Sequence, residues 1–178
     1  MITSLIASTT VGAGGTNTIE FTSIPGTFTD LVVLLSARTS AASDVPRFRA
    51  NTYISEFNKG QVFFSNGASV SAFDDVFNTY QQIGTEPGTS WSANSFSNVL
   101  IQLPNYSGTS YPKTYKTQSI SKDSGANQEI RLTGTGFTSF TAAITSVQIT
   151  TTNTFVQHTT AYLYGTLKGS GGATVTVT

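Results

Sequence analysis

Apolar and polar residues alternate with a period of two along much of this chain, in short runs separated by Gly, Pro, Asn and Ser. That is the pattern of strands with one buried face. Residues 3–8 and 16–22 are the first two runs, and in the second Ile19 and Phe21 alternate with Glu20 and Thr22. The Val11-Gly12-Ala13-Gly14-Gly15 segment between them reads as a flexible hairpin connection. After a Pro25-Gly26 turn, residues 30–38 contain Leu31-Val32-Val33-Leu34-Leu35. An apolar run without alternation predicts a strand buried on both faces, in the centre of a sheet.

A polar loop over 39–46 leads to an alternating run at 47–53. Runs at 61–65 and 68–73 flank Asn66-Gly67, the signature of a type I′ hairpin, whose two central residues need positive φ. Residues 74–94 predict long loops with one short strand or a helical turn. Strands are expected again over 95–103, ending at Pro104, and over 114–121. Ser124-Gly125-Ala126-Asn127 then turns into 129–133, and the last strands cover 143–150 and 160–167. In the final one, Ala161 and Leu163 lie on the face opposite Tyr162 and Tyr164. No window shows helical periodicity over more than two turns. About ten short strands at intervals of roughly eight to twelve residues predict an all-β fold, a two-sheet antiparallel sandwich of jelly-roll type.

The expected domains are a jelly-roll sandwich over 1–168 and a separate tail over 169–178. Lys168-Gly169-Ser170-Gly171-Gly172 is a linker composition. Beyond it, Ala173, Val175 and Val177 alternate with Thr174, Thr176 and Thr178. A strand on a Gly tether suggests an arm that pairs with a sheet edge, on a neighbouring subunit or within its own domain. The opening residues lack a basic region and a long apolar stretch, so neither a signal peptide nor a membrane anchor is expected there.

Only 10% of the residues are charged, and the net charge is zero, against about 25% charged in ordinary soluble domains. The surface is instead hydroxylic: about three residues in ten are Ser or Thr, and Thr suits a pleated strand. The basic residues are scattered singly, so neither a nucleic-acid nor a membrane partner is expected. A neutral chain has little electrostatic repulsion to oppose association, which suits a fixed assembly.

The chain holds no cysteine and one histidine, which leaves no disulfide, no thiolate metal site and no three-histidine site. His158 has no nucleophile motif beside it and reads as a surface or interface residue. Asp74-Asp75 is the one adjacent acid pair; in a strand the two would face apart, and in a loop they could bind a hard cation. Gly12-Ala13-Gly14-Gly15 has no following helix to cradle phosphate. Gly134-Thr135-Gly136 reads as a strand-end turn. No catalytic, cofactor-binding or metal residue is therefore assigned. Tyr80, Trp91, Tyr106 and Tyr111 sit near amides and hydroxyls in predicted loops, the materials of a shallow glycan site and equally of an intersubunit contact.

Several segments carry a resemblance. Ser4-Leu5-Ile6-Ala7-Ser8, the run from Ile19 to Pro25, Phe28-Thr29-Asp30-Leu31-Val32-Val33, Arg47-Phe48-Arg49, Leu103-Pro104-Asn105-Tyr106, the run from Ala143 to Ile149 and Ala161-Tyr162-Leu163-Tyr164-Gly165 follow in order. Together they resemble small β-rich virion structural proteins of tailed bacteriophages, of the marine and cyanophage type, which serve as capsid decoration or tail-fibre proteins. The resemblance reaches about Leu167; the Gly-rich tail departs from it. It implies a virion protein on the capsid or tail surface, and no enzyme. The expected role is a capsid decoration or cement protein bridging major capsid subunits as a homotrimer. The alternative is a tail-fibre or head-fibre module binding host glycans through Tyr80, Trp91, Tyr106 and Tyr111.

Overall fold

The computed structural model describes residues 2–41, 43–51, 58–65, 69–77, 80–84, 86–87, 95–122, 128–137 and 140–167. Its strands are β1 (Ile2–Thr10), β2 (Thr16–Phe21), β3 (Asp30–Ala37), β4 (Ser43–Asp44), β5 (Arg47–Ala50), β6 (Asn58–Ser65), β7 (Val70–Phe77), β8 (Gln81–Gln82), β9 (Glu86–Pro87), β10 (Ser97–Leu103), β11 (Thr114–Lys122), β12 (Gln128–Phe137), β13 (Val147–Phe155) and β14 (Thr160–Leu167). There is no helix among the described residues.

Two antiparallel sheets pack as a sandwich. The larger has the order β1-β14-β3-β10-β11-β12-β6-β7 and the smaller β2-β13-β5-β8, while β4 and β9 pair separately. Without the β6–β7 and β11–β12 hairpins, the larger sheet is β1-β14-β3-β10, and the chain crosses between sheets at nearly every step. That interleaving is the jelly-roll order. The two hairpins are insertions that widen one sheet to twice the other's strand number.

The inner faces are filled by alternate residues of each strand. Leu31, Val33 and Leu35 of β3, Val99, Ile101 and Leu103 of β10, and Phe48, Ile149 and Phe155 of the smaller sheet are all fully buried. Phe48 meets Tyr115 across the interior at 5.0 Å between ring centroids, a tilted aromatic contact.

Loop polar groups close the ends of the sandwich. Tyr106 is fully buried, and its hydroxyl donates to the carbonyl of Pro25, tying the connection after β10 to the one before β3. Lys113 is buried too; its Nζ donates to the carbonyls of Gly108 and Thr141, and burial pushes its pKa down. Asn51 takes φ 53°. Its side-chain amide donates to the Ala143 carbonyl at 2.6 Å, and its Oδ1 accepts from the amides of Thr145 (2.7 Å) and Ser146 (3.0 Å).

At the other end, β13 slips out of register with β2 between Thr150 and Phe155. The buried Asp44 carboxylate takes up donors of that irregular stretch: the Thr151 hydroxyl, the Asn153 amide at 3.0 Å and the Asn153 side chain at 3.0 Å. The Val45 amide adds a fourth at 2.8 Å. Burial alone would push this carboxyl up, but the four hydrogen bonds outweigh it and hold the pKa below the ordinary carboxylate value.

Several expectations are corrected. Residues 11–15 do not join a hairpin: β1 pairs with β14, β2 with β13, and the segment crosses between sheets. Gly15 there takes φ +66°, and a Cβ on it would stand 2.8 Å from the Phe155 carbonyl. The β6–β7 hairpin is present, with Ser65 opposite Val70 as the last described pair; the expected Asn66-Gly67 turn lies outside the described residues. Residues 134–136 continue β12, paired with β11, because a neighbour on each side supplies ladder partners. Residues 143–146 form a connection held by Asn51, and β13 begins at Val147. β3 is central as expected, yet only one of its faces is buried.

Asp44→Asn should destabilise the fold by about 1–3 kcal/mol at neutral pH, read by urea unfolding. Because the folded-state pKa is depressed, Asp44 contributes its stability above the ordinary carboxylate pKa and loses it as pH falls through the lower, folded value; the variant should lack that acid-dependent component. Separately, a Cβ on Gly165 would overlap the Phe28 ring, whereas one on Gly134 meets nothing within 4 Å. Gly165→Ala should therefore cost about 1–3 kcal/mol by overpacking and Gly134→Ala within about 0.5 kcal/mol, compared by thermal unfolding.

Candidate interaction surface

Because side chains alternate across a strand, the residues that fill the core on β1, β14, β3 and β10 fix which neighbours point outward. Two rows of those neighbours are largely apolar, where a solvated sheet face carries polar residues. Opposite Leu34 of β3 stand Tyr162 of β14 and Leu100 of β10. In the next row Val32 stands opposite Tyr164, and Tyr164 opposite Leu5 of β1. Leu34 is 39% exposed, Tyr162 37% and Leu5 55%, while Val32, Leu100 and Tyr164 are half-buried. The Tyr162 and Tyr164 rings lie near-parallel with centroids 6.4 Å apart. Exposed Leu132, Ile120 and Ile130 extend the apolar area onto β11 and β12.

Charge is nearly missing from the four strands β1, β14, β3 and β10, while β11 beside them carries the exposed Lys116. The sequences of β1, β3, β10 and β14 contain one charged residue, Asp30. Its carboxylate accepts the Asn105 amide at 2.9 Å. Asp30, Val32, Gln102, Pro104, Thr114 and Lys116 border a depression of about 350 Å³ at the end of the face, roomy enough for side chains projecting from a docked protein. The smaller sheet is dressed oppositely: Arg47 and Arg49 of β5 and Glu20 of β2 alternate with its buried residues. The two outer faces therefore differ: half-buried arginines and an exposed glutamate stand on one, and leucines and tyrosines on the four strands of the other.

The edges differ as well. β7 carries Asp74 and Asp75, β2 carries Glu20, and β8 is two residues long. β1 is an edge of nine residues without charge or proline, the kind that pairs with further strands unless it is covered.

Of the described residues expected for glycan binding, one is buried, one is half-buried beside an arginine and one is exposed. Tyr106 is a correction: it is fully buried, its hydroxyl bonded to Pro25, since the loop after β10 folds under the sandwich end. Tyr80 is half-buried with the Arg47 guanidinium 4.3 Å from its ring centroid, so a cation occupies one ring face. Tyr111 is 74% exposed in the connection between β10 and β11. Trp91 lies outside the described residues, as do the arm residues Ala173, Val175 and Val177.

His158 is an exposed turn residue with φ 71°, its amide bonded to the Val11 carbonyl at 3.0 Å. Asp74 and Asp75 fall in β7, paired with Gln61 and Gly60, which removes the loop geometry a cation site would use. No group of three or more His, Asp or Glu suited to a metal occurs among the described residues.

The apolar outer face was not foreseen from sequence, although its signal was there. The unbroken run Leu31 to Leu35 suits a strand buried twice within one chain; it suits equally a strand whose second face is covered by another chain. Comparison with protein-family models, with curated proteins and with solved structures gave no match for this chain.

Proposed function

We propose that this chain is a non-catalytic structural protein of a phage virion, a capsid decoration protein whose larger sheet lies against the shell. The observation that carries the reading is the outer face of β1, β14, β3 and β10, where Leu5, Leu34, Leu100, Tyr162 and Tyr164 stand with Asp30 as the one charged residue on those strands. Burying apolar surface contributes roughly 25 cal/mol per Å², and each copy added to a shell repeats that gain, so modest contacts sum over many copies. The sequence resemblance to tailed-phage virion proteins points the same way. The glycan-binding alternative loses support, because Tyr106 is buried and Tyr80 lies under Arg47.

Particles lacking this chain should burst at a lower temperature than complete ones, and adding back the purified chain should restore the difference. The double variant Leu5→Lys/Tyr162→Lys should keep its own unfolding temperature yet bind stripped shells at least about tenfold more weakly, since losing a central aromatic contact costs about 2 kcal/mol or more. Tyr111→Ala should bind as the wild type does. Shells equally heat-stable with and without the chain would contradict the proposal.

A further inference from the structure

Among the described residues, no strand covers the side of the sandwich bounded by β1 and β2. Both are the outermost strands of their sheets, and between them lies a depression of about 380 Å³ bordered by Thr9, Thr10, Val11, Thr16 and Ile19. The core thins out there: Ile6 and Ala7 of β1 are only partly buried while packing against it. Among the described residues no strand pairs with the outer edge of β1, and no charge or proline in the strand blocks its main-chain donors and acceptors.

We propose that residues 173–178 of a second copy of this chain add to β1 as an extra antiparallel strand. Ala173, Val175 and Val177 would cover Ile6 and Ala7, and Thr174, Thr176 and Thr178 would face outward. The segment matches the edge in chemistry: uncharged, β-branched at five of six positions and strictly alternating. Its tether starts in the right place. β14 ends at Leu167 opposite Ile2, one strand from the free edge, and residues 168–172 reach up to about 17 Å.

The chain's own segment would have to step over β1 and then run parallel to it. A second copy's segment comes from outside and can pair antiparallel, which gives the better hydrogen bonds. Donation from each copy to the next is a head-to-tail contact, which forms a ring when the rotation between copies closes; a closed ring of three would match the trimer expected from the sequence resemblance. This inference deepens the assembly reading and rests on it, but its test is made in solution without particles.

Because the chain has no cysteine, engineered pairs report cleanly. Ser8→Cys combined in turn with Thr174→Cys, Thr176→Cys or Thr178→Cys should, under mild oxidation, give disulfide-linked multimers for at least one pair, since a bridge needs Cα atoms within about 7 Å. Ser8→Cys with Tyr111→Cys should not. Deleting residues 169–178 should reduce the oligomer to single-chain mass by light scattering, with the circular dichroism of the sandwich retained. Links only within one chain, no link at any of the three positions, or an unchanged mass after deletion would overturn the inference. Loss of shell binding by Leu5→Lys/Tyr162→Lys with normal cross-linking, or the reverse, separates its failure from that of the decoration reading.

Discussion

Everything in this molecule depends on the register imposed by its shared interior. Side chains repeat with a period of two, so the burial of Leu31, Val33 and Leu35 obliges Val32 and Leu34 to face away from the core. A one-residue slip of β3 would exchange the two sets. Such a slip is blocked by the aligned burial of Val99, Ile101 and Leu103 on one flank and of Ala161 and Leu163 on the other. The outward apolar rows are therefore fixed by packing that has nothing to do with any partner. The polar locks at the sandwich ends, Asn51 on residues 143–146 and Asp44 on the irregular stretch of β13, hold the strands in that register where ladder bonds stop.

The functional reading follows from how the two outer faces are treated. A sandwich has four faces, and the core uses two. Here the third carries arginines and a glutamate, and the fourth carries leucines and paired tyrosines on four strands whose one charged residue is Asp30. A chain with zero net charge gains little from long-range electrostatics, so contact area and main-chain pairing are left as the means of recognition. On that reading the widened sheet enlarges the contact area, since the two inserted hairpins bring it to eight strands against four in the other sheet.

Much of the fold was legible in the sequence. The alternation in β2, β5, β10 and β14, the hairpin around Asn66-Gly67 and the central place of β3 all follow from hydrophobic pattern and turn chemistry. What was not legible depended on partners distant in sequence. Nothing local in Val11-Gly12-Ala13-Gly14-Gly15 separates a hairpin from a crossing between sheets; the distinction lies in whether β14 or β2 claims β1. Tyr106 looked like an exposed loop aromatic because the carbonyl that satisfies its hydroxyl belongs to Pro25, 81 residues away. Residues 143–146 have strand-like composition, yet the Thr145 and Ser146 amides are taken by Asn51 and the Ile144 amide by the Tyr106 carbonyl, both from other connections. The candidate surface itself was visible as the unbroken run Leu31 to Leu35, but a run buried by its own chain and a run covered by a neighbour read alike.

Hydroxyl-radical footprinting of the purified chain and of intact particles tests the central claim most directly. Tyr162 and Tyr164 should be oxidised in the free chain and protected in the particle, while Tyr111, 74% exposed and remote from the proposed contact, should react in both. Equal reactivity of Tyr162 and Tyr164 in the two states would contradict the account, because the larger sheet would then face solvent in the assembly.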